Sequence, residues 1–360
     1  MNIDFTCPIC GNKNPKYVGI RNGQKYCRLC LSFKGNQAKD IYTRPKDSTY
    51  HLQYSLSSEQ ANLSEKLFHN YCDGKNSFVH AVCGSGKTEI VLKTISYCIS
   101  AGLKVGFAVP RRDVARELHE RFRNILKKNR ITLVCGGHSD YLYGDLVVLT
   151  THQLYRYNNY FDLLILDEVD AFPYKGNNVL HSFFERSIKG NYICMSATPD
   201  ENMLNEFASN NGEVVSLNKR FHRHPLPVPQ LVIRPKVLLF PSLIILLKKF
   251  YKINKPVFVF TPTIIMCEET CSLLRPIFGG DVDFVHSKCL DREKRIENFR
   301  SNKTKILVTT AVLERGVTIR DLQVIVFHAN HSIYNQYNLV QIAGRVGRKA
   351  DAPKGEVFYV

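Results

Sequence analysis

The sequence predicts an α/β protein of two lobes, each a parallel sheet with helices on both faces, preceded by a small cysteine-rich N-terminal module. Three observations carry this. From about residue 56 onward, short apolar runs alternate with helical stretches, which is the signature of parallel sheets covered on both sides. The alternation is interrupted by a Pro-rich stretch, His224-Pro225-Leu226-Pro227-Val228-Pro229, which marks a boundary. Residues 1–50 are polar and hold too few large apolar residues for a core, yet they contain four of the chain's 12 cysteines.

The expected organisation is therefore residues 1–50 as module and linker, 51–223 as a first lobe and 224–360 as a second. A chain of 360 residues has room for such a division, with a core in each lobe.

The elements follow in order. Cys7-x2-Cys10 and Cys27-x2-Cys30 stand with 16 residues between the pairs. Each pair makes a tight knuckle, and together they fit a four-thiolate tetrahedral Zn²⁺ site. The chain opens Met-Asn-Ile-Asp-Phe-Thr-Cys, with no basic and apolar leader, so the expectation is a cytosolic chain of thiols and metal rather than a disulfide framework. The loop between the pairs supplies Arg21, Lys25 and Arg28. Whether the module meets DNA, meets a protein or is purely structural is open at this point.

Ser57 and Ser58 ahead of Glu59-Gln60-Ala61 read as a helix start. Residues 78–82 form a strand feeding a glycine loop, and 88–99 continue as a helix. Residues 105–110, 146–150, 163–166 and 192–196 read as buried strands. Beyond the Pro-rich stretch the strands are 256–260, 282–285, 305–309 and 324–327, with a helix over 263–274. The longest apolar run, Val237 to Leu247, is broken by Pro241 and Ser242. It is too short to span a bilayer and reads as a buried strand and helix start. Cys267 and Cys271, four apart on a helix, read as core packing.

Chemistry concentrates in three boxes. Ala81-Val82-Cys83-Gly84-Ser85-Gly86-Lys87-Thr88 is a phosphate loop in a strand–loop–helix setting, although Ala81 replaces the usual first glycine. Its glycines let backbone N–H groups approach phosphates. Lys87 would meet the β- and γ-phosphates of ATP, and Thr88 would bind Mg²⁺. Asp167-Glu168-Val169-Asp170 ends an apolar strand. Asp167 would hold Mg²⁺ through water, and Glu168 would polarise the attacking water. Gln60 is placed to read an adenine edge, and Ser196-Ala197-Thr198 to report the state of the acidic box to bound nucleic acid.

Gln341-Ile342-Ala343-Gly344-Arg345-Val346-Gly347-Arg348 is the third box. The guanidinium forks of Arg345 and Arg348 match phosphate oxygens and suit phosphoryl-transfer charge. With Gly316 they are expected to complete the nucleotide site from the second lobe, so that turnover becomes lobe movement.

Forty-nine Lys and Arg against 32 Asp and Glu give a formal charge of +17, which implies a polyanionic partner, nucleic acid or an acidic membrane surface. Arg111, Arg112, Thr151 and His152 follow strands in the first lobe, and Thr261, Thr263, Thr309 and Thr310 do so in the second. Hydroxyls and arginines at strand ends would line one groove for a single-strand backbone. Helix capping and surface charge are the competing reading for each residue alone.

These boxes resemble the superfamily 2 helicase motifs from about residue 56 to 360, which implies two RecA-like lobes. Gln341 and the Asp-Glu-Val-Asp box argue against the DEAD-box RNA branch. With the four cysteines and Asp-Glu-Val-Asp-Ala-Phe-Pro-Tyr (167–174), nearly the whole chain is similar to the ComFA family of late-competence ATPases. The resemblance implies a DNA-dependent ATPase that drives single-stranded transforming DNA into the cytoplasm. It also implies a place at the membrane channel, with ComFC-type and recombination-mediator partners. The alternatives are a PriA-like replication-restart helicase, which strand displacement would reveal, and a zinc-dependent DNA-binding adaptor with a relic ATP site, which would bind DNA without stimulated turnover.

Overall fold

The computed structural model describes residues 5–82, 84–209, 212–217, 220, 224–313, 317–348 and 351–360. The chain divides into two compact units, residues 1–218 and 219–360. The cysteine module lies within the first unit, and the second begins at residue 219 rather than 224.

The module is built on a hairpin of β1 (Val18–Arg21) and β2 (Gln24–Cys27), paired antiparallel. Its two-residue turn is Asn22-Gly23, with φ of 50° and 77°. Both values are left-handed, as the tight hairpin turn demands. The hairpin delivers Cys27 and, one short turn later, Cys30. From there to Ser57 the chain forms neither helix nor strand and runs over unit 1 as a strap. It is fixed by Lys39 N–H donating to the Tyr143 hydroxyl at 3.0 Å and His51 N–H to the Ile125 carbonyl at 3.1 Å. Ion pairs join Asp47 to Lys128 at 2.7 Å and Asp40 to Lys104.

The rest of unit 1 is a seven-stranded parallel sheet. Its strands are β3 (Ser77–Ala81), β4 (Val105–Val109), β5 (Ile131–Val134), β6 (Leu146–Thr150), β7 (Phe161–Asp167), β8 (Ile188–Ser196) and β9 (Glu213–Leu217), in the order β5-β6-β4-β7-β8-β3-β9. Every residue of β4 and β6 is buried, the pattern of a sheet covered on both faces. The helices are α1 (Ser58–Cys72), α2 (Lys87–Ile90), α3 (Leu92–Ser100), α4 (Arg112–Ile125), α5 (Asn178–Ser187) and α6 (Glu201–Ser209). The start of α1 is a capping box: Ser57 Oγ accepts from Gln60 N–H, and Gln60 Oε1 accepts from Ser57 N–H.

Unit 2 holds a second parallel sheet of β10 (Gln230–Leu231), β11 (Val257–Phe260), β12 (Val282–Val285), β13 (Ile306–Thr309), β14 (Gln323–Val326) and β15 (Val357–Tyr359), ordered β10-β15-β14-β11-β13-β12. Its helices are α7 (Lys236–Lys252), α8 (Ile264–Phe278), α9 (Arg292–Arg300) and α10 (Gln336–Ala343).

The apolar run expected as strand plus helix start is a single helix, α7, which runs through Pro241. Leu243, Leu247 and Phe250 recur at helical spacing and are all fully buried, so packing overrides the proline. Cys267 and Cys271 are buried on α8. Among the described residues no helix is long and apolar enough to cross a membrane.

Candidate active site

In unit 1 the strands β3, β4, β6, β7 and β8 run parallel, so all of them present their C-terminal ends at one edge of the sheet. Ligand sites of open parallel sheets form there. The phosphate loop leaves β3. Val82 N–H donates to the Leu217 carbonyl at 3.1 Å, and Ser85 N–H donates to the Val82 carbonyl at 3.2 Å. Gly84 and Gly86 have φ of 80° and 85°, a conformation that glycine adopts without strain. A Cβ at Gly86 would lie 2.4 Å from the Gln60 amide nitrogen, so the loop needs glycine twice over there. Ser85 Oγ is buried without a hydrogen-bond partner among the described residues. Thr88 is buried, at the second position of α2. Cys83 lies outside the described residues, as does Gly316 of the second unit.

Gln60 differs from its expected role. It is 1% exposed, and its Nε2 donates to the Ser85 carbonyl at 2.7 Å while its Oε1 caps α1. The amide braces the loop instead of standing open to a base.

The acidic box ends β7. Lys87 Nζ lies 3.8 Å from Asp167 Oδ1. Burial pushes the Asp167 carboxyl up, Lys87 opposes this, and Glu168 adds to it. Glu168 has φ of 59°, a left-handed conformation that costs a side-chain-bearing residue about 1 kcal/mol or more. Its N–H donates to Asp167 Oδ1 at 2.9 Å. The box therefore combines two carboxylates at a strained strand end with an ammonium group beside the first. Such a set can hold a hydrated divalent cation against phosphate.

Thr198 Oγ1 donates to Asp170 Oδ2 at 2.6 Å, and Ser196 Oγ accepts from Thr198 N–H at 3.0 Å. The segment after β8 is thus bonded to the acidic box, as the sequence suggests.

The nucleic-acid candidates divide. Arg111 caps α4, half-buried, and Arg112 is exposed at its first position. The Arg112 guanidinium packs along Gly136, where a Cβ would lie 3.4 Å from its carbon. Thr151 is fully buried, in a 3-10 turn Thr151–Arg156 after β6. His152 carries the Phe33 ring stacked on it, with centroids 6.3 Å apart and planes at 23°. Thr151 is closed off by burial, while His152 is half-buried. In unit 2, Thr261 and Thr309 are fully buried. Thr261 Oγ1 donates to the Thr309 carbonyl at 3.2 Å, and Thr309 Oγ1 to the Val285 carbonyl at 2.8 Å. Their hydroxyls knit strand ends together: Thr261 follows β11, and Thr309 is the last residue of β13. Thr263 caps α8 by accepting from Met266 N–H at 3.2 Å. Thr310 is half-buried beside them.

The arginine box follows α10. Arg348 is half-buried, and its Nε donates to the Gly344 carbonyl at 3.1 Å. Arg345 departs from expectation: it is 1% exposed and donates from Nη1 to the Val317 carbonyl at 2.8 Å. In this structure its fork is folded into unit 2, not presented at a surface.

The four N-terminal cysteines are all buried and converge. Their Sγ atoms lie within 4.8 Å of one another, with Cys7 to Cys30 at 3.8 Å and Cys10 to Cys27 at 3.7 Å. A tetrahedron with Zn–S of about 2.3 Å has edges of about 3.8 Å, so the donors fit that ion. Burial pushes the Cys10 thiol up to about 11 and raises Cys30 as well. Cys7 is lowered despite its burial, because backbone N–H groups of Cys10 and Ile9 point at its sulfur.

Sequence reasoning missed the dock of this module. Phe33 meets Phe183 edge-on at 4.8 Å and Tyr155 at 5.6 Å. Tyr155 OH donates to the Lys34 carbonyl and Arg156 Nη1 to the Asn36 carbonyl, both at 2.8 Å. Arg186 on α5 donates to the Ile9 carbonyl. The signal available was Phe33, which follows Leu29 and Leu31 just after the last cysteine of a mostly polar segment.

Two family models match: the DEAD/DEAH box helicase domain over residues 61–207 and the helicase conserved C-terminal domain over 240–350. Saccharomyces cerevisiae Dbp5 bound to RNA and ADP BeF3 superposes with a TM-score of 0.70 at 19% identity, covering 85% of this chain and 84% of that one. The two parallel-sheet lobes are thus RecA-like. Fold and site together define a helicase-like, ATP-hydrolysing enzyme of superfamily 2, a class that uses ATP and Mg²⁺. Competence protein ComFA of Streptococcus pneumoniae is 34% identical over 353 residues, covering 94% of this chain and 82% of the relative. The ComFA of Bacillus subtilis is 30% identical, covering 99% and 81%. The chain belongs to the ComFA family of competence proteins.

Proposed function

We propose that this ATPase is stimulated by single-stranded DNA and translocates along it, driving transforming DNA into the cell. The observation that carries the reading is the bonded line across one sheet edge. Lys87 faces Asp167, Glu168 bonds back to Asp167, and Asp170 is held by Thr198. The same edge carries Arg111 and Arg112 after β4.

In this reading Lys87 and the loop amides of 82–88 bind the triphosphate, with Gln60 keeping the loop in shape. Thr88 and Asp167 orient Mg²⁺, which supplies charge compensation on the β- and γ-oxygens. Glu168 accepts a hydrogen bond from the attacking water and aligns it with the γ-phosphorus. Arg348, together with Arg345 once its fork is released from Val317, stabilises the developing charge. Thr198 passes the state of the acidic box to the strand-end loops that carry Arg111 and Arg112. Cys7, Cys10, Cys27 and Cys30 hold Zn²⁺ as a structural centre. Residues 1–50, 51–223 and 224–360 act as module, first lobe and second lobe. The protein works in the cytoplasm, at the inner face of the membrane beside the uptake channel, with ComFC-type and recombination-mediator partners.

The test is ATPase rate against single-stranded DNA, duplex DNA and RNA. Single-stranded DNA should stimulate most, and Lys87→Ala and Glu168→Gln should abolish the stimulated rate while zinc content is unchanged. Full activity in either variant refutes the site. Strand displacement without net translocation on single strands would favour a PriA-like helicase.

A further inference from the structure

Arg220 has no part in the site described so far. It is 3% exposed, a costly place for a guanidinium unless its donors are used. Its two terminal nitrogens both donate to one short segment. Nη1 donates to the carbonyls of Val346 at 2.8 Å and Gly347 at 3.2 Å, and Nη2 donates to that of Gly344 at 3.1 Å. These three carbonyls belong to the arginine box. The last carbonyls of a helix lack intrahelical partners, and a cation is favoured there.

One of these acceptors is shared. The Gly344 carbonyl takes a hydrogen bond from Arg220 Nη2 and another from Arg348 Nε at 3.1 Å. The direction of the Arg348 side chain therefore depends on an oxygen whose position Arg220 fixes. The box main chain is wrapped closely on this fork. Gly347 has φ of 66°, and a Cβ there would lie 3.3 Å from Arg220 Nη1 and 2.3 Å from the Pro353 carbonyl oxygen.

We propose that Arg220 is a positioning residue of the ATPase. It sets the shape of residues 344–348, and hence the aim of Arg348. The inference rests on reading Arg348 as a transition-state group.

The test uses full-length, zinc-loaded protein with saturating single-stranded DNA. Arg220→Gln, Arg220→Lys, Arg348→Ala and the Arg220→Gln/Arg348→Ala double variant are compared in kcat, in KM for ATP and in Tm. Arg220→Gln should lower kcat roughly 10- to 100-fold, the range for a misaimed catalytic group, with KM within about twofold. Arg220→Lys keeps the charge but loses the fork, so its kcat should fall between those of Arg220→Gln and the parent. The double variant should be no slower than Arg348→Ala alone. A merely structural Arg220 would give losses that follow Tm and add to those of Arg348→Ala, and that result overturns the proposal, as does an unchanged kcat in Arg220→Gln. Parental kcat in Arg348→Ala would instead remove the underlying reading of the box.

Discussion

Replacing Phe33 by Ala isolates the dock between the zinc module and the first lobe. The ring is half-buried and touches His152, Tyr155 and Phe183, with centroids at 6.3, 5.6 and 4.8 Å. Removing a fully buried Phe costs about 3–5 kcal/mol, so a half-buried ring with three aromatic neighbours should contribute about 2 kcal/mol. The loss falls on local opening of the dock, because the sheet core behind it is untouched. At about 1.4 kcal/mol per factor of ten, opening becomes roughly 25-fold more frequent. Hydrogen exchange is the assay, read on the amides of Thr151–Arg156 and on Tyr157 N–H, which donates to the Leu154 carbonyl at 2.9 Å. Amides of β4 serve as the internal reference. Exchange in that turn within twofold of the parent would refute the claim that Phe33 holds it.

Three further expectations concern the same unit. Burial lowers the pKa of His152, so as pH falls the unfolded chain takes the proton first, near 6.5. Stability is fully present above that pH and declines below it; His152→Phe should flatten the fall in Tm between about pH 7.5 and 5.5, and an unchanged slope counts against the assignment. Thr198→Val removes a hydrogen bond to a carboxylate, a contact in the range of about 1.5–3 kcal/mol. It should reduce DNA stimulation of the ATPase more than the DNA-free rate, and equal losses in both would remove Thr198 as a relay. Stripping the metal with a chelator, or Cys10→Ser, should raise proteolysis of the strap at 31–57 while β3 to β9 stay protected; an intact strap would show that the dock stands without the ion.

Much of the fold is legible because burial writes itself into composition. The strands at 105–110, 146–150 and 163–166 are apolar throughout, since both faces of the sheet are covered. The strand Glu213–Leu217 escapes notice because its inward residues, Val215 and Leu217, alternate with a half-exposed Val214 and an exposed Ser216. It is nevertheless the strand that pins the phosphate loop. Lys87 and Asp167 are expected at strand ends from spacing, and the structure brings them to 3.8 Å, while Asp170, which reads in the sequence as a solvated acid, is bonded to Thr198. Thr261 and Thr309 could not be told from groove residues, since a hydroxyl at a strand end serves a neighbouring carbonyl as readily as a ligand. Arg345 was legible in kind but not in direction: its box reads the same whether the fork faces outward or donates to Val317. The partners described for the side chains of Arg220 and Phe33 lie more than 100 residues away, and nothing in the local sequence shows them.

The dock also imposes an order on the molecule's birth. Ile9 and Lys34 emerge early from the ribosome, yet the residues that receive them, Arg186 and Tyr155, lie 177 and 121 positions later. At about 5–20 residues per second, the cysteine module waits roughly ten to thirty seconds before its seat exists. With Zn²⁺ on its four thiolates, as proposed above, the knuckle would keep its shape through that interval. The module is therefore made before its seat and fastened only after Arg186 has been added.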